Sequence, residues 1–350
     1  MKSYRMTAPG HPLRTLLIAG AGLAVLLILG LVFPSPWLRD TMTSLFASGL
    51  LAMSLHLLVG YSGLVSFGHA AYFALGGYVF GMTLQAPGYV ETFGAWSLPS
   101  AMLLAMFGTG GAAFLVGLVC ARLSEIYFAF LTLAFQMLFL SLIQGFVGYT
   151  GGDQGLTGGI PRPAFLGINV TQSWDRYAFC ATVFVFGVLV IRLITESSFG
   201  FTLRMLRDNE ARVKFLGINT YLTKVICFTL AGTLASLGGV ILAIFTSAAY
   251  PEWASWTKSG EAIFMIMLGG VNTFLGPLAG ALAMRIIDDV TLLYTTHTEL
   301  AKGIVILFVV LVLKRGILDF ALDRRRSRAD RRANRDRAAA HEKERADVDS

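Results

Sequence analysis

Charged residues are scarce in this sequence. Asp, Glu, Lys and Arg together make up 14% of its 350 residues, whereas hydrophobic residues make up 55%. A soluble domain requires a polar surface, which this composition does not supply. The sequence therefore predicts an integral membrane protein.

Sequence patterns typical of catalytic, metal-binding or nucleotide-binding sites are also lacking. The three cysteines, Cys120, Cys180 and Cys227, lie in or at the end of apolar stretches, without the spacing of a metal site or a disulfide framework. No Gly-rich loop ends in Gly-Lys-Ser or Gly-Lys-Thr, so the chain has no P-loop for ATP. No His, Cys or carboxylate cluster has a catalytic or metal-binding spacing. We therefore expect no enzymatic activity, no metal and no cofactor.

The positive net charge does not indicate a nucleic-acid partner. The formal charge is +7, but the basic residues lie between apolar runs and in a C-terminal tail. Such a distribution provides no folded basic face that follows a phosphate backbone. We expect no nucleic acid among the partners.

Long apolar runs are abundant. A helix of about 20 residues crosses a hydrocarbon core of about 30 Å. Seven runs qualify: Leu13–Phe33, Thr41–Val59, Leu64–Leu84, Leu98–Val119, Ile126–Val147, Tyr177–Ile194 and Val225–Ser247. Glycine and proline interrupt the next apolar region, where we predict three more partial or complete spans: Ala262–Val271, Leu278–Tyr294 and Leu300–Leu313. The predicted fold is all-α, with about ten transmembrane helices in residues 1–320 and a charged tail in residues 321–350; eight spans is the alternative.

Basic residues near span ends predict the orientation. The two patches richest in Lys and Arg are Arg204–Lys224 and the tail from Lys314. Such patches favour the cytoplasmic side of a membrane. We therefore expect a multi-pass protein with both termini on the cytoplasmic side of the membrane and Gly148–Asp175 on the outer side.

The stretch from Gly60 to Tyr78 combines five glycines with three polar side chains at membrane depth, Ser62, Ser66 and His69. Irregular backbone at this depth is tolerated only against protein or a water-filled cavity. We therefore expect the stretch to line a path through the protein, with close helix packing by small residues as the alternative. A similar glycine-rich break at Gly269–Gly280 is consistent with an inverted repeat of discontinuous helices.

Two further segments carry polar residues near this expected path. In the fifth run, Thr132, Gln136 and Gln144 share one face of a helix. The outer loop that follows contains Asp153 in a glycine-rich sequence that suits either a connector or an outer gate. The candidate pathway residues are therefore Gly63, Ser66, Phe67, His69, Thr132, Gln136 and Asp153.

The basic segment Gly200–Lys224 differs from its apolar surroundings. Apolar residues alternate there with charges of both signs up to Gly217, which predicts one or two short amphipathic helices. Such a helix binds either lipid headgroups at the interface or a groove on a soluble partner. Later in the chain, Arg285, Asp288 and Asp289 are spaced to form ion pairs within one helix.

Five motifs in order make the sequence resemble the permease subunits of branched-chain amino acid ABC importers over about Leu55–Gly316. The motifs are Gly60-Tyr61-Ser62-Gly63 with Ser66-Phe67-Gly68-His69-Ala70; Ile126-Tyr127-Phe128-Ala129 with Leu131-Thr132-Leu133-Ala134-Phe135; Gly151-Gly152 with Gly155-Leu156-Thr157-Gly158; Arg207-Asp208-Asn209-Glu210 with Leu216-Gly217-Ile218-Asn219; and Gly269-Gly270 with Thr273 and Gly276-Pro277. Asn272, where a glycine is more usual, and the charged tail depart from the family pattern.

The resemblance implies a type II ABC importer permease in a bacterial inner membrane, together with its partners. These are two ABC ATPase subunits, a second permease subunit and a periplasmic substrate-binding protein, in contact with membrane lipid. It also implies that the ATPase-coupling residues are Arg207, Asp208, Asn209, Glu210 and Gly217. The implied solute is a branched-chain amino acid or a related small polar molecule. A stand-alone channel or an ion-coupled carrier for a solute such as urea or an amide is the alternative.

Overall fold

The computed structural model describes residues 12–33, 35–123, 125–165 and 167–294, together with residues 300, 303, 304, 307 and 316–319. Regular structure in these residues is helical, apart from two isolated antiparallel bridges, Leu156 with Ala249 and Phe165 with Ile168. The chain forms two compact units, Met1–Phe264 and Met265–Ser350. The predicted all-α class is confirmed.

Thirteen α-helices are present in the described residues. They are α1 (Pro12–Val32), α2 (Pro36–His56), α3 (Ala70–Gln85), α4 (Tyr89–Phe93), α5 (Ser97–Cys120), α6 (Glu125–Gly145), α7 (Val147–Thr150), α8 (Ser173–Glu196), α9 (Ser198–Asp208), α10 (Glu210–Phe215), α11 (Thr220–Thr246), α12 (Trp256–Gly269) and α13 (Gly276–Tyr294). A π-helical turn, Leu57–Ser62, prolongs α2, and short 3-10 turns lie at Gly94–Trp96, Gly152–Gln154 and Pro251–Ala254.

Six helical segments of the described residues are long and apolar enough to cross a membrane. They are Arg14–Val32, Pro36–Ser62, Tyr89–Cys120, Ile126–Gly145, Ser173–Glu196 and Thr220–Thr246. The predicted third span starts too early, because the chain is not helical between Gly63 and His69 and α3 begins only at Ala70. The predicted eighth and ninth spans correspond to α12 and α13. Most of the tenth and all of the tail lie outside the described residues, so the count of ten and the boundary at 320 stay predictions.

Helix α11 is the centre of the first unit. It packs against α2, α3, α5 and α8, and 72% of its apolar window is buried. Small residues permit this close packing: a Cβ added to Gly239 would lie 1.8 Å from the carbonyl oxygen of Phe73. In contrast, only 11% of the α1 window and 28% of the α6 window are buried. The outer faces of α1 and α6 are therefore apolar and exposed, as a lipid-facing surface requires.

The start of α1, the end of α8 and helix α9 lie at one end of the first unit. Thr15 donates a hydrogen bond of 2.9 Å to Glu196, which ends α8. At the opposite end, Arg176 near the start of α8 forms a 3.0 Å ion pair with Asp40 near the start of α2. The loop between α7 and α8 lies at the far end of α11, where the Ile160 amide donates to the Ser247 carbonyl. These contacts define the two ends of the bundle.

The second unit contains the end of α12 and α13, which meet at glycines. A Cβ added to Gly280 would lie 1.7 Å from the Met265 carbonyl oxygen, so only glycine permits this approach. On α13, Arg285 and Asp289 form the predicted ion pair at 3.3 Å.

Candidate functional site

The break between α2 and α3 is the first part of the candidate site. The π-turn ends at Gly63, whose φ of 78° is a left-handed conformation that favours glycine. Residues Gly63–His69 then run without regular helix until α3 begins. A Cβ on Gly68 would lie 2.0 Å from the Thr132 carbonyl oxygen, so the connecting loop presses directly against α6. The expected discontinuous helix is confirmed at this position.

His69 is held in this loop by α2. Its Nε2 atom lies 3.0 Å from the Ser54 hydroxyl, and both side chains are fully buried. The Ser54 hydroxyl donates to the Leu51 carbonyl at 2.9 Å, which assigns the proton of this contact to His69 Nε2. The Nδ1 atom is then a buried acceptor without a hydrogen-bond partner among the described residues.

A second polar network joins the start of α3 to α6 and α12. The Ser259 hydroxyl accepts a 2.9 Å bond from the Ala70 amide and donates at 3.0 Å to Gln136 Oε1. The Gln136 amide donates in turn to the Ala254 carbonyl at 2.9 Å. Gln136 and Ser259 are both fully buried. The network therefore fixes the end of the loop to two other helices through satisfied polar groups.

Five of the predicted pathway residues meet around the break. Ser66, His69, Thr132 and Gln136 are buried, and Gly63 begins the loop. Ser66 Oγ, like His69 Nδ1, has no hydrogen-bond partner in the described part of the chain. Buried polar atoms normally have partners, so these two atoms are available to water or to a polar solute.

The other two predicted pathway residues are exposed. Phe67 lies within the loop Gly63–His69, with 39% of its surface exposed. Asp153 is exposed in the 3-10 turn Gly152–Gln154. Gln144, which was expected on the same face as Thr132 and Gln136, is also exposed.

Helices α9 and α10 form the predicted amphipathic segment. The Ser197 hydroxyl caps α9 by accepting from the Gly200 amide, and the Asn209 side chain caps α10 by accepting from the Arg212 amide. Gly217 follows α10 with a φ of 79°. Leu203, Leu206 and Val213 form the buried face of the segment.

Glu210 binds the start of α11 rather than extending into solvent. Its carboxylate forms ion pairs with Lys224 at 2.8 Å and with Lys214 at 3.1 Å, and it accepts a 3.2 Å bond from the Thr220 hydroxyl. Burial alone raises the pKa of Glu210, but the bonds and charges of Lys224 and Lys214 outweigh burial, so its pKa lies below the ordinary value. Glu210 therefore fixes α10 to α11.

Arg207 connects this segment to the break. Its guanidinium donates to the carbonyl of Gly60, in the π-turn that ends α2. Its side chain passes Gly63, where an added Cβ would lie 3.2 Å from Arg207 Cγ. The structure thus brings a predicted coupling residue and a predicted pathway residue together. Asp208, Asn209 and Gly217 are exposed.

An apolar tip at the end of α10 was not predicted as functional. Phe215 is 91% exposed and Leu216 is 64% exposed. An open groove of about 930 Å³ lies at the same end of the bundle, and its lining includes Arg122, Lys214 and Tyr221. The sequence signal for this tip was an apolar pair, Phe215 and Leu216, which directly precedes Gly217 and does not belong to the buried face of the segment.

Comparison with known proteins defines the family. The model of the branched-chain amino acid transport system/permease component family matches residues 38–313. The chain belongs to this family. The family match spans the break, the α9–α10 segment and most of the described helices.

Relatives of this chain differ in the solute that they are named for. The high-affinity branched-chain amino acid transport system permease protein LivM of Escherichia coli K12 is 24% identical, over 85% of this chain and 74% of its own length. The ribose import permease protein RbsC of Escherichia coli K12 is 30% identical, over 37% of this chain and 44% of its own length. A solved metal-chelate-type ABC transporter in an inward-facing conformation is 19% identical, with a TM-score of 0.45, over 87% of this chain and 100% of its own.

Proposed function

We propose that this chain is the permease subunit of an ATP-driven importer that carries branched-chain amino acids, or a related small polar solute, across a bacterial inner membrane. The family match over residues 38–313 carries the proposal. The chain lacks a P-loop, so ATP is hydrolysed by two separate ABC ATPase subunits. A second permease subunit completes the pore, and a periplasmic binding protein delivers the solute.

The candidate path is the break between α2 and α3. Ser66 Oγ and His69 Nδ1 are polar atoms without partners among the described residues. Two further polar side chains lie at the end of this loop: Ser259 binds the Ala70 amide, and Gln136 binds Ser259. A solute that passes a bundle of apolar helices needs such groups, because unpaired polar atoms in hydrocarbon are costly. In this proposal, rearrangement of the loop Gly63–His69 exposes these groups to the solute.

The ATPase subunits bind at α9–α10. An exposed aromatic side chain at the tip of a short helix is a typical anchor of a protein interface, and Phe215 provides one. The neighbouring Leu216 enlarges the apolar contact, and Asp208 and Arg212 add exposed charges to the same segment. Arg207 and Glu210 attach this segment to the rest of the permease, since their side chains bind Gly60 and Lys224.

Both termini and α9–α10 face the cytoplasm in this proposal. The Thr15–Glu196 hydrogen bond supports it by placing the start of α1 beside the end of α8, which leads into the basic α9–α10 segment. Impermeant labelling of single cysteines tests it, in a background without Cys120, Cys180 and Cys227. In intact cells Gln154→Cys should react and Arg212→Cys should not; the opposite pattern contradicts the orientation.

The alternative, a stand-alone channel or ion-coupled carrier, is not favoured by the family match. Flux into proteoliposomes that contain the chain alone distinguishes these functions. The importer predicts that leucine and urea enter no faster than into empty liposomes, whereas rapid passive entry would establish a channel.

A further inference from the structure

Two residues of α9 contact the π-turn that ends α2, although about 145 positions of sequence separate the helices. Arg207 donates to the Gly60 carbonyl, a contact between residues 147 positions apart. One turn earlier, Arg204 lies over the Tyr61 ring, 5.9 Å from its centroid, and donates to the Thr195 carbonyl at 3.2 Å. The π-turn is therefore attached to α9 as well as to its own helix.

The Gly60 carbonyl is a suitable acceptor because of its place in the helix. The last carbonyls of a helix have no amide partner within it, and they carry the negative end of the helix dipole. Leu58 already accepts from the amides of Gly63 and Leu64 and from the Ser62 hydroxyl. At Gly60, the cationic donor Arg207 satisfies another carbonyl of the π-turn with a charge-assisted bond, which is stronger than a neutral one.

The contact lies beside the candidate path. Gly63, which the Arg207 side chain passes, is the first residue of the loop that contains Ser66 and His69. The end of that loop is fixed separately, by Ser259 at the Ala70 amide and by close contact of Gly68 with Thr132. A displacement of α9 would therefore act on one end of the loop while the other end stays attached to α6 and α12.

We propose that Arg207 is a positioning residue that transmits motion of α9–α10 to the break between α2 and α3. It holds the end of α2 to α9, so that a movement imposed on the exposed tip at Phe215 changes the conformation of the loop Gly63–His69. The inference rests on the proposed function, and it assigns Arg207 to transmission inside the permease rather than to ATPase binding.

The test uses the complete complex with its ATPase subunits and binding protein in proteoliposomes. Arg207→Met keeps the aliphatic stem and removes the donor, and Arg207→Lys restores a cationic donor. Arg14→Met is the matched control, because Arg14 is an exposed cation of α1, outside the α9–α10 surface. Three quantities are measured: retention of the ATPase subunits, ATP hydrolysis and solute uptake.

We expect Arg207→Met to retain the ATPase subunits and ATP hydrolysis but to lose about tenfold in uptake, the size expected for one charge-assisted hydrogen bond. Arg207→Lys should recover part of the uptake, and Arg14→Met should resemble the native chain. Loss of the ATPase subunits in Arg207→Met would instead make Arg207 a docking residue, and unchanged uptake would exclude transmission. If the native complex neither binds ATPase subunits nor takes up solute with ATP, the proposed function itself fails.

A covalent link provides a second test that does not depend on Arg207→Met folding normally. A Cβ built on Gly63 lies 3.6 Å from Arg207 Cβ, within the range of about 3.5–4.5 Å found in disulfides. In a background without the native cysteines, oxidation of the pair Gly63→Cys and Arg207→Cys should restore uptake, and a reductant should remove it again. Gly63→Cys alone carries the same backbone strain at a φ of 78° and should not respond to oxidation, so uptake of the oxidised pair is compared with uptake of this variant. Failure of the disulfide to form, or its formation without recovery of uptake, would overturn the proposal.

Discussion

Replacement of Glu210 by Gln tests the attachment of α10 to α11. Lys224 is the buried partner, with 9% of its side chain exposed, whereas 39% of the Glu210 side chain is exposed. Exposed ion pairs contribute about 0–1 kcal/mol, and removal of one partner from a fully buried pair costs about 3–5 kcal/mol. Since solvent screens Glu210 in part, we expect Glu210→Gln to lower the local free energy of opening of α10 by about 1–2 kcal/mol.

Amide hydrogen exchange measures this local opening. A loss of about 1–2 kcal/mol should speed exchange of the Glu210–Phe215 amides by a factor of about 5–30, while the middle of α11 is unchanged. Lys214→Met is the control, because Lys214 is 63% exposed and its pair with Glu210 spans one helical turn. Its effect should be about 0.3–0.5 kcal/mol.

A double-mutant cycle shows whether the effect belongs to the buried pair. Glu210→Gln and Lys224→Met should be strongly non-additive, because either change alone leaves one charged group without its partner. Additive effects on the exchange of α10, or no effect of Glu210→Gln, would refute the argument that Glu210 fixes this helix.

The pH dependence of the same exchange follows from the lowered pKa of Glu210. Burial opposes ionisation, but Lys224 and Lys214 outweigh it. A carboxyl whose pKa is lower in the folded than in the unfolded protein stabilises the fold above its ordinary pKa, and this contribution is lost as the pH falls through the lowered value. Acid should therefore lower the protection factors of the α10 amides in the native chain, once the slower intrinsic exchange at low pH is taken into account, and much less in Glu210→Gln.

Four other changes have definite expected outcomes. Phe215→Ala should weaken ATPase binding by about 2 kcal/mol, the typical cost of losing an interface anchor, measured by titration of the permease with ATPase subunits. Gly68→Ala should abolish uptake, because its Cβ would lie 2.0 Å from the Thr132 carbonyl oxygen, whereas Gly111→Ala, with open space around it, should not. Gln136→Leu leaves the Ala254 carbonyl and Ser259 without this partner and should lower the unfolding temperature of the purified permease, at a cost of about 1–3 kcal/mol per unsatisfied group. Deletion after Phe320 should leave uptake unchanged; a loss of ATPase recruitment would make the tail a coupling element.

Local patterns in the sequence predicted much of the fold. Apolar runs of about 20 residues located most of the long helices, because a membrane span depends on length and hydrophobicity alone. The run of glycines from Gly60 to Gly77 indicated a discontinuous helix, and the structure breaks α2 from α3 there. The start of α3 was misplaced because Leu64 and Val65 are apolar, and their composition does not show that Gly63 has already ended the helix.

The site depends on contacts between distant residues, which local patterns do not contain. Gln136 and Ser259 are 123 positions apart, and nothing near Ser259 in the sequence marks it as the link between α3 and α6. Glu210 and Arg207 were predicted to act in coupling, but a helical pattern does not show that one side chain binds Lys224 and the other the Gly60 carbonyl. Their roles therefore follow from the packing of α9 and α10 against α2 and α11.

Uphill transport tests the central claim most directly. Proteoliposomes that contain this chain with its partner permease and ATPase subunits enclose ATP on the side of α9–α10, and they are given binding protein and radiolabelled leucine on the outside. The importer predicts that leucine accumulates inside above its external concentration only when ATP is hydrolysed, and that Phe215→Ala lowers this accumulation. Equilibration of leucine without accumulation, at a rate independent of ATP, would contradict it.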